Sequence, residues 1–535
     1  MSARGGAVGL HHVNVCSYAN SSPKLLTILK FSLSVLAVGF AERIGPIWPA
    51  ASSPRPPQLA SNRLPVGVTT IDKGNRQDRI VTPMPATSTG LKASMRPRHL
   101  VMMSLGSAIG AGLFVGSGVG IAAAGPSVLL AYLIAGLIIL AVMRMLAEMV
   151  AADPNPGAFS YYAGKAMGRP AAFALGWLWW IEFCLVVAAE ATAAAQYLNG
   201  IFPATPPWVF ALIAMVAFTA SNLVHVGSFG ELEFWFALIK VGFVVGFLIL
   251  GVAFLLGFTP GTSPGLRNVV DAPFMPKGIS GVAGALLVVI FGFGGIELMA
   301  VAAAETADPQ RSVAKAVRTI LWRILLFYMG AVTVMLLALP WDSPEIEKAP
   351  FVAVLNTAGF PALAAAIAVV IILALLSSLN ANLYGASRMI FSLAERGMAP
   401  AALHRTTSRG VPVSSVLATS VFGFVAVALN YFWGEAVLKA LLNIVGSTLI
   451  VTWIAIIVSH LVLRRRAERD GADLPLRMWC FPYLSWVTLA ALLGVVVLGY
   501  TVPEVAAQLS TTFLLTAALY VVGWLLERRR ASSTT

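Results

Sequence analysis

Charge is scarce in this chain. Only 11% of its residues are Asp, Glu, Lys or Arg, whereas 58% are hydrophobic. That balance excludes a soluble globular protein and requires many spans of about twenty apolar residues each. Cysteine is scarcer still. Cys16, Cys184 and Cys480 are odd in number and far apart, which argues against a disulfide framework and against a zinc site. No G-x-x-x-x-G-K-S/T loop is present, so the chain holds no engine for ATP-driven work. None of the six histidines stands four residues from another, and no metal or other cofactor is expected. The charges that exist are lopsided, 36 basic against 23 acidic. In a soluble protein the resulting +13 would suggest nucleic acid. Here its placement between apolar spans makes it an orientation signal, and no nucleic-acid partner is expected.

Long apolar runs fill the rest. The first contains Gly106-Ser107-Ala108-Ile109-Gly110-Ala111-Gly112-Leu113-Phe114, followed by Gly116, Gly118 and Gly120. Each glycine weakens a helix by about 1 kcal/mol relative to alanine, so the run reads as a helix broken at membrane depth. Backbone N–H and C=O groups freed there must face protein or a water-filled cavity, because lipid satisfies neither. Two readings compete. Gly106/Gly110 and Gly112/Gly116 have the spacing of a small-residue packing face, and the break itself suits a binding site. A second break, Phe291-Gly292-Phe293-Gly294-Gly295-Ile296-Glu297, lies inside the apolar segment 282–304. Four spans separate the two, which places them in the first and sixth. Interrupted helices in corresponding positions of two halves point to the substrate site of a transporter.

Twelve spans are predicted, near 99–124, 128–151, 171–198, 207–226, 232–257, 279–304, 320–340, 361–386, 413–431, 437–461, 483–502 and 510–527. Segments 155–167 and 345–359 read as short surface helices. Residues 1–95 are rich in Pro, Ser and Arg, with one short apolar run at 25–40 interrupted by Lys30. They read as a disordered extension or as the result of a start assigned too far upstream, with Met84 and Met95 as alternative starts. The Lys and Arg bias sets the orientation. Arg311, Lys315, Arg318, Arg323, Arg388, Arg396, Arg405, Arg464, Arg469 and Arg477 fall on one side, whereas Arg267, Lys277 and Lys348 fall on the other. Both termini are therefore expected in the cytoplasm. The expected fold is an all-α integral membrane protein with 12 transmembrane helices. Its 5+5 inverted repeat covers about 99–257 and 279–461, with broken helices 1 and 6, and helices 11 and 12 at about 483–527 lie outside the repeat.

A zwitterionic amino acid suits these breaks. A half-helix starting near Ala111 presents N–H groups and a positive dipole end to a carboxylate, and the carbonyls before Gly110 and before Gly294 accept from an ammonium. The candidate substrate contacts are Ser107, Ala108, Ile109, Gly110, Ala111, Gly112 and Leu113 at the first break, and Phe291, Phe293, Gly294 and Glu297 at the second. Core packing is the competing role for the two phenylalanines. Intramembrane charges call for a functional default, and four are present: Glu182, Glu190, Lys240 and Glu297. Lys240 serves as a fixed or titrating cation beside the first break, as a structural partner of Glu190, or as a side chain that snorkels to the end of its span. Glu297 either meets the substrate amine or a proton, or bonds freed backbone amides. Glu190 is a candidate for proton coupling with Lys240, and Glu182 stands nearer an interface among Trp177, Trp179 and Trp180. Arg144 and Glu148, one helical turn apart, are expected to form a local ion pair.

At these residues the chain resembles the amino acid transporters of the amino acid–polyamine–organocation superfamily, and within it the bacterial 4-aminobutyrate (GABA) permeases. The resemblance runs from about Met95 to the C-terminus. It is carried by Arg98-His99-Leu100, Ile109-Gly110-Ala111-Gly112-Leu113-Phe114-Val115-Gly116-Ser117-Gly118 and Met143-Arg144-Met145-Leu146-Ala147-Glu148-Met149. Gly230-Glu231-Leu232-Glu233-Phe234-Trp235-Phe236-Ala237-Leu238-Ile239-Lys240-Val241 adds to it, as do Ser387-Arg388-Met389 and Leu393-Ala394-Glu395-Arg396-Gly397-Met398-Ala399-Pro400 in the loop expected after span eight. The 143–149 and 230–241 stretches look more like GABA permeases than aromatic or lysine permeases. The resemblance implies proton-coupled uptake of a small amino acid across the bacterial inner membrane, with the substrate held at the two breaks. It also implies that Lys240 takes the place of a coupling sodium ion beside the first broken helix. Another neutral or aromatic amino acid is the alternative substrate, and a passive channel the alternative class. An enzyme is not expected, since the spans offer no nucleophile–base set. The sequence does not indicate an oligomeric state.

Overall fold

The computed structural model describes residues 109–155, 157–224, 229–297, 300, 325–407, 410–433 and 435–534. Helices and the turns between them make up these residues, with no strand among them. Helix α1 (Ala111–Phe114) and α2 (Gly116–Ala124) are two parts of one rod bent at Val115. Gly125, at a φ of 62° that disfavours a side chain, and Pro126 then turn the chain into α3 (Val128–Ala152). Next come the short α4 (Ala158–Met167), α5 (Arg169–Ile201), α6 (Pro207–Val224) and α7 (Phe229–Leu255). After α8 (Arg267–Val270) and α9 (Gly278–Phe293) follow α10 (Leu325–Ala338), α11 (Pro344–Lys348) and α12 (Pro350–Thr357). The last are α13 (Pro361–Glu395), α14 (Val413–Trp433), α15 (Glu435–Arg469), α16 (Tyr483–Gly499) and α17 (Pro503–Thr534). Pro207, Pro344, Pro350, Pro361 and Pro503 each open a helix at its first position, where the missing N–H has no partner to lose.

Seven helices among the described residues are long and apolar enough to cross a membrane, and four shorter apolar ones accompany them. The short surface helices expected at 155–167 and 345–359 correspond to α4 and to the pair α11–α12. One expectation is corrected. The Ser387-Arg388-Met389 stretch, expected in a loop, lies within α13, which continues to Glu395. The helix tolerates Arg388 because its guanidinium lies 3.8 Å from the centre of the Tyr384 ring and donates to Ser387 Oγ at 2.9 Å. Residues 1–108, and with them the extension, Met84, Met95, Ser107 and Ala108, lie outside the described residues, as does the start of span seven.

Helix α5 is the axis of the bundle. It packs against α4, α6, α13, α14, α15 and α17, and 94% of its apolar stretch is buried, against 28% for α7 and 17% for α17. The last two therefore turn most of their surface outward, toward the bilayer. Between helices in lipid there is no hydrophobic drive, and close backbone approach through small residues takes its place. Gly446 of α15 is such a residue, since a Cβ there would collide with the backbone of Leu287 in α9. Gly242, on the open side of α7, has nothing within 4 Å of that position.

These two glycines are expected to respond in opposite ways to alanine. Gly446→Ala forces α9 and α15 apart and should cost about 1–3 kcal/mol as overpacking. Gly242→Ala should gain up to about 1 kcal/mol of helix propensity. Thermal unfolding of the detergent-purified proteins checks this, and an equal midpoint for both would contradict the α9–α15 contact.

Candidate functional site

The first break is built on Gly110. Its carbonyl accepts from Leu113 N at 3.1 Å and Phe114 N at 3.0 Å, which starts α1 and leaves the amide of Ala111 with no helical partner. A carboxylate fills that place. Ala111 N donates to both oxygens of Glu190, 3.1 Å each, and Ser378 Oγ of α13 donates to Oε1 at 2.9 Å. A Cβ on Gly110 would collide with Glu190 Oε1 and lie 2.7 Å from Ser378 Oγ. This position is therefore a glycine because the carboxylate comes so close. Ile109 and Leu113 are buried beside it, and Tyr197 donates to the Phe114 carbonyl at 3.2 Å.

The second break touches the first. Gly112 and Gly292 pack backbone to backbone, and a Cβ on Gly112 would overlap Gly292 Cα. Helix α9 then stops at Phe293, Gly294 is extended, and Gly295 takes a φ of 92°. Glu297 folds back on this turn. Its Oε2 accepts from Gly295 N at 2.9 Å and its Oε1 from Trp453 Nε1 of α15 at 2.6 Å. The carboxylate thus satisfies freed backbone, one of the two roles its position suggested.

A narrow cavity lies between the breaks, with room for about one water molecule. Gly112, Glu190, Phe291 and Gly294 line it, together with Glu182 and Asn382. Phe293 turns away instead, stacked on Tyr328 at 5.2 Å and set edge-on to Tyr132 at 6.0 Å. Lys240 of α7 is 1% exposed. Sequence reasoning missed Ser378 and Asn382. Asn382 donates to Ser378 O at 2.8 Å and Oγ at 3.3 Å, and its own Oδ1 is buried with no partner among the described residues. The signal was present in Ser377-Ser378-Leu379-Asn380-Ala381-Asn382, four polar residues inside an apolar helix. Glu182, placed near an interface by the sequence, stands on the cavity wall with Thr452 Oγ1 of α15 at 3.4 Å.

Away from the cavity, the i,i+4 pairing of Arg144 with Glu148 gives way to longer-range contacts. Glu148 lies 3.0 Å from Arg464 Nη1 and 3.3 Å from His460 Nε2, and it accepts from Met478 N. Arg144 donates to the carbonyl of Arg477 at 2.8 and 3.2 Å. These contacts join α3, α15 and the chain before α16.

The sequence model of the amino acid permease family matches residues 99–534. The chain belongs to that family. Similar proteins include the gamma-aminobutyric acid permease of Bacillus subtilis strain 168, 41% identical over 84% of this chain and 96% of its own length. An aromatic amino acid transport protein of Corynebacterium glutamicum is 45% identical over 78% of this chain and 91% of its own. The gamma-aminobutyric acid permease of Escherichia coli K12 is 38% identical over 79% and 92%. The protein is thus a multi-pass membrane permease that transports amino acids, and its family is one of transporters.

For this permease, Gly110→Val should insert normally and lose uptake by tenfold or more, because a branched side chain displaces Glu190 and Ser378 from the start of α1. Equilibrium binding of labelled substrate to the purified variant tests the site. Affinity equal to that of the parent would show that the first break is not part of it.

Proposed function

We propose that this permease takes up a small amino acid together with a proton by alternating access, and that the amino acid is GABA or a molecule of similar size. The observation that carries the reading is the grip of Ala111 N on the Glu190 carboxylate. A helix start of this kind is an anion site, and here the chain's own side chain occupies it. A substrate carboxylate binds there by taking the place of Glu190. Two carboxylates on one N–H repel, so protonation of Glu190 and arrival of substrate favour one another. In this reading the buried Lys240 supplies the positive charge toward which an ionised Glu190 returns. Asn382, on the wall of the same cavity, offers its Oδ1 to the substrate ammonium. Glu297 stays in its structural role at the second break.

The two gamma-aminobutyric acid permeases among the similar proteins support a small linear substrate. The aromatic transport protein at 45% identity supports a second reading, with an aromatic side chain seated among Phe183, Val186, Phe291 and Leu449. The architecture we infer has 12 spans in a 5+5 inverted repeat with broken helices 1 and 6, supported by the glycine-rich helix ends and the eleven apolar helices among the described residues. Placement in the inner membrane with both termini cytoplasmic is supported by the Lys and Arg bias. Accumulation against a gradient separates this transporter from a passive channel.

Competition in vesicles addresses the substrate. Unlabelled GABA should inhibit uptake more strongly than phenylalanine or lysine, and stronger inhibition by phenylalanine would move the assignment to the aromatic reading.

The coupling residues call for a separate test. Glu190→Gln and Lys240→Met should both remain folded and fail to accumulate substrate under an imposed pH gradient. Glu190→Gln should still exchange substrate, because the amide mimics the protonated acid. Normal pH-driven accumulation by either variant would remove that residue from the coupling scheme.

A further inference from the structure

Glu148, Glu182, Glu190 and Glu297 are the buried acids among the described residues, and three of them are held by N–H donors. Glu190 takes Ala111 N, Glu297 takes Gly295 N and Trp453 Nε1, and Glu148 takes Met478 N and Arg464 Nη1. Glu182 differs. It is 1% exposed, and its polar neighbours are two hydroxyls of α15, Thr452 Oγ1 at 3.4 Å and that of Thr448. Thr448 Oγ1 already donates to Val445 O at 2.8 Å. Among the described residues, no Lys, Arg or His nitrogen lies within 4 Å of the Glu182 carboxylate. A buried carboxylate needs donors or a cation to carry its charge, and the fold gives Glu182 one long bond from a hydroxyl.

Glu182 shares the cavity wall with Glu190. The two stand eight residues apart on α5, with Val186 between them on the same face, which is about 12 Å along the helix axis. Helix α13 runs antiparallel beside α5, since Ser378 meets Glu190 while Leu393 packs on Gly176. Asn382 therefore lies one turn beyond Ser378 in the direction of Glu182, about 6 Å along α13. Its buried Oδ1 has no partner among the described residues. The cavity thus has a backbone N–H, that of Ala111, at one end and two oxygen acceptors in need of a donor toward the other.

We propose that Glu182 determines specificity by receiving, together with Asn382, the ammonium of an ω-amino acid whose carboxylate lies at Ala111 N. This rests on the reading that a substrate carboxylate takes the place of Glu190, and it names the substrate class for that site. The charged groups of extended GABA are about 5 Å apart, against about 2.5 Å in an α-amino acid. With one hydrogen bond of about 3 Å added, GABA covers most of the distance to Glu182, and the flexible glutamate side chain covers the rest. An α-amino acid stops short, at Asn382. An ammonium carries three donors, enough to serve Asn382 Oδ1 and Glu182 at once.

The test titrates the purified full-length protein with glycine, β-alanine, GABA and 5-aminovalerate, and reads each affinity from the rise of the unfolding midpoint. The parent should favour GABA over glycine. Glu182→Gln should weaken GABA by about tenfold or more and glycine by less than about twofold, because only the longer molecule reaches the lost charge. Glu182→Asp withdraws the carboxylate by one methylene, so the preferred length should move toward 5-aminovalerate. A purely structural role would not move that optimum, and this variant carries the test if Glu182→Gln cannot be purified. A parent that binds GABA, with variants that keep its order of chain lengths, would overturn the role of Glu182 alone. Equal losses for all four compounds would mark a structural residue and overturn it too. A parent that does not bind GABA would instead overturn the small-substrate reading on which the proposal rests.

Discussion

A carboxylate buried at membrane depth has to be held by donors, and Glu190 meets that demand by gripping the start of α1. Its two oxygens accept from Ala111 N, and Ser378 completes the shell. Removal of one partner from such an arrangement leaves the other uncompensated in a medium without water, which makes contacts of this kind costly to break halfway. The position of α1 against α5 and α13 follows from it. So does the glycine at 110, which leaves no side chain between the carboxylate and the backbone.

The crossing of Gly112 with Gly292 supplies the second fixed point. Lipid gives apolar helices little reason to associate, so the two breaks are joined by backbone contact and by polar bonds that bilayer cannot replace. Glu297 and Trp453 then anchor the second break to α15. Both breaks therefore lean on helices distant in sequence, α5 and α13 for the first and α15 for the second. A rearrangement of either must be felt in those helices, as the proposed alternating access requires.

Particular residues show where local reasoning succeeds and where it stops. The helix start after Gly110 and the helix end at Phe293 were legible because glycine and helix propensity act locally. The buried acids and Lys240 were legible because charge in an apolar span is rare. Other placements depended on contacts across long sequence separations. Glu148 has Arg144 one turn away and yet turns to Arg464 and His460, which α15 brings in from more than three hundred residues on. Phe291 and Phe293 read alike in sequence, but only Phe291 faces the cavity, because Tyr328 and Tyr132 offer Phe293 an aromatic site on the other side of α9.

By itself the sequence determined a helical membrane protein with two glycine-rich helix ends, the family motifs, and a short set of intramembrane charges. Composition and periodicity are enough for that, since a bilayer admits few ways to satisfy a backbone. Only the tertiary structure decided which partner each charge takes: that Glu190 stands where a substrate carboxylate is proposed to bind, that Glu297 braces a turn, and that Ser378 and Asn382 join the cavity. The reason is physical. A span's composition shows that a buried charge needs a partner, but the helix that supplies it is chosen by packing between segments far apart in the chain.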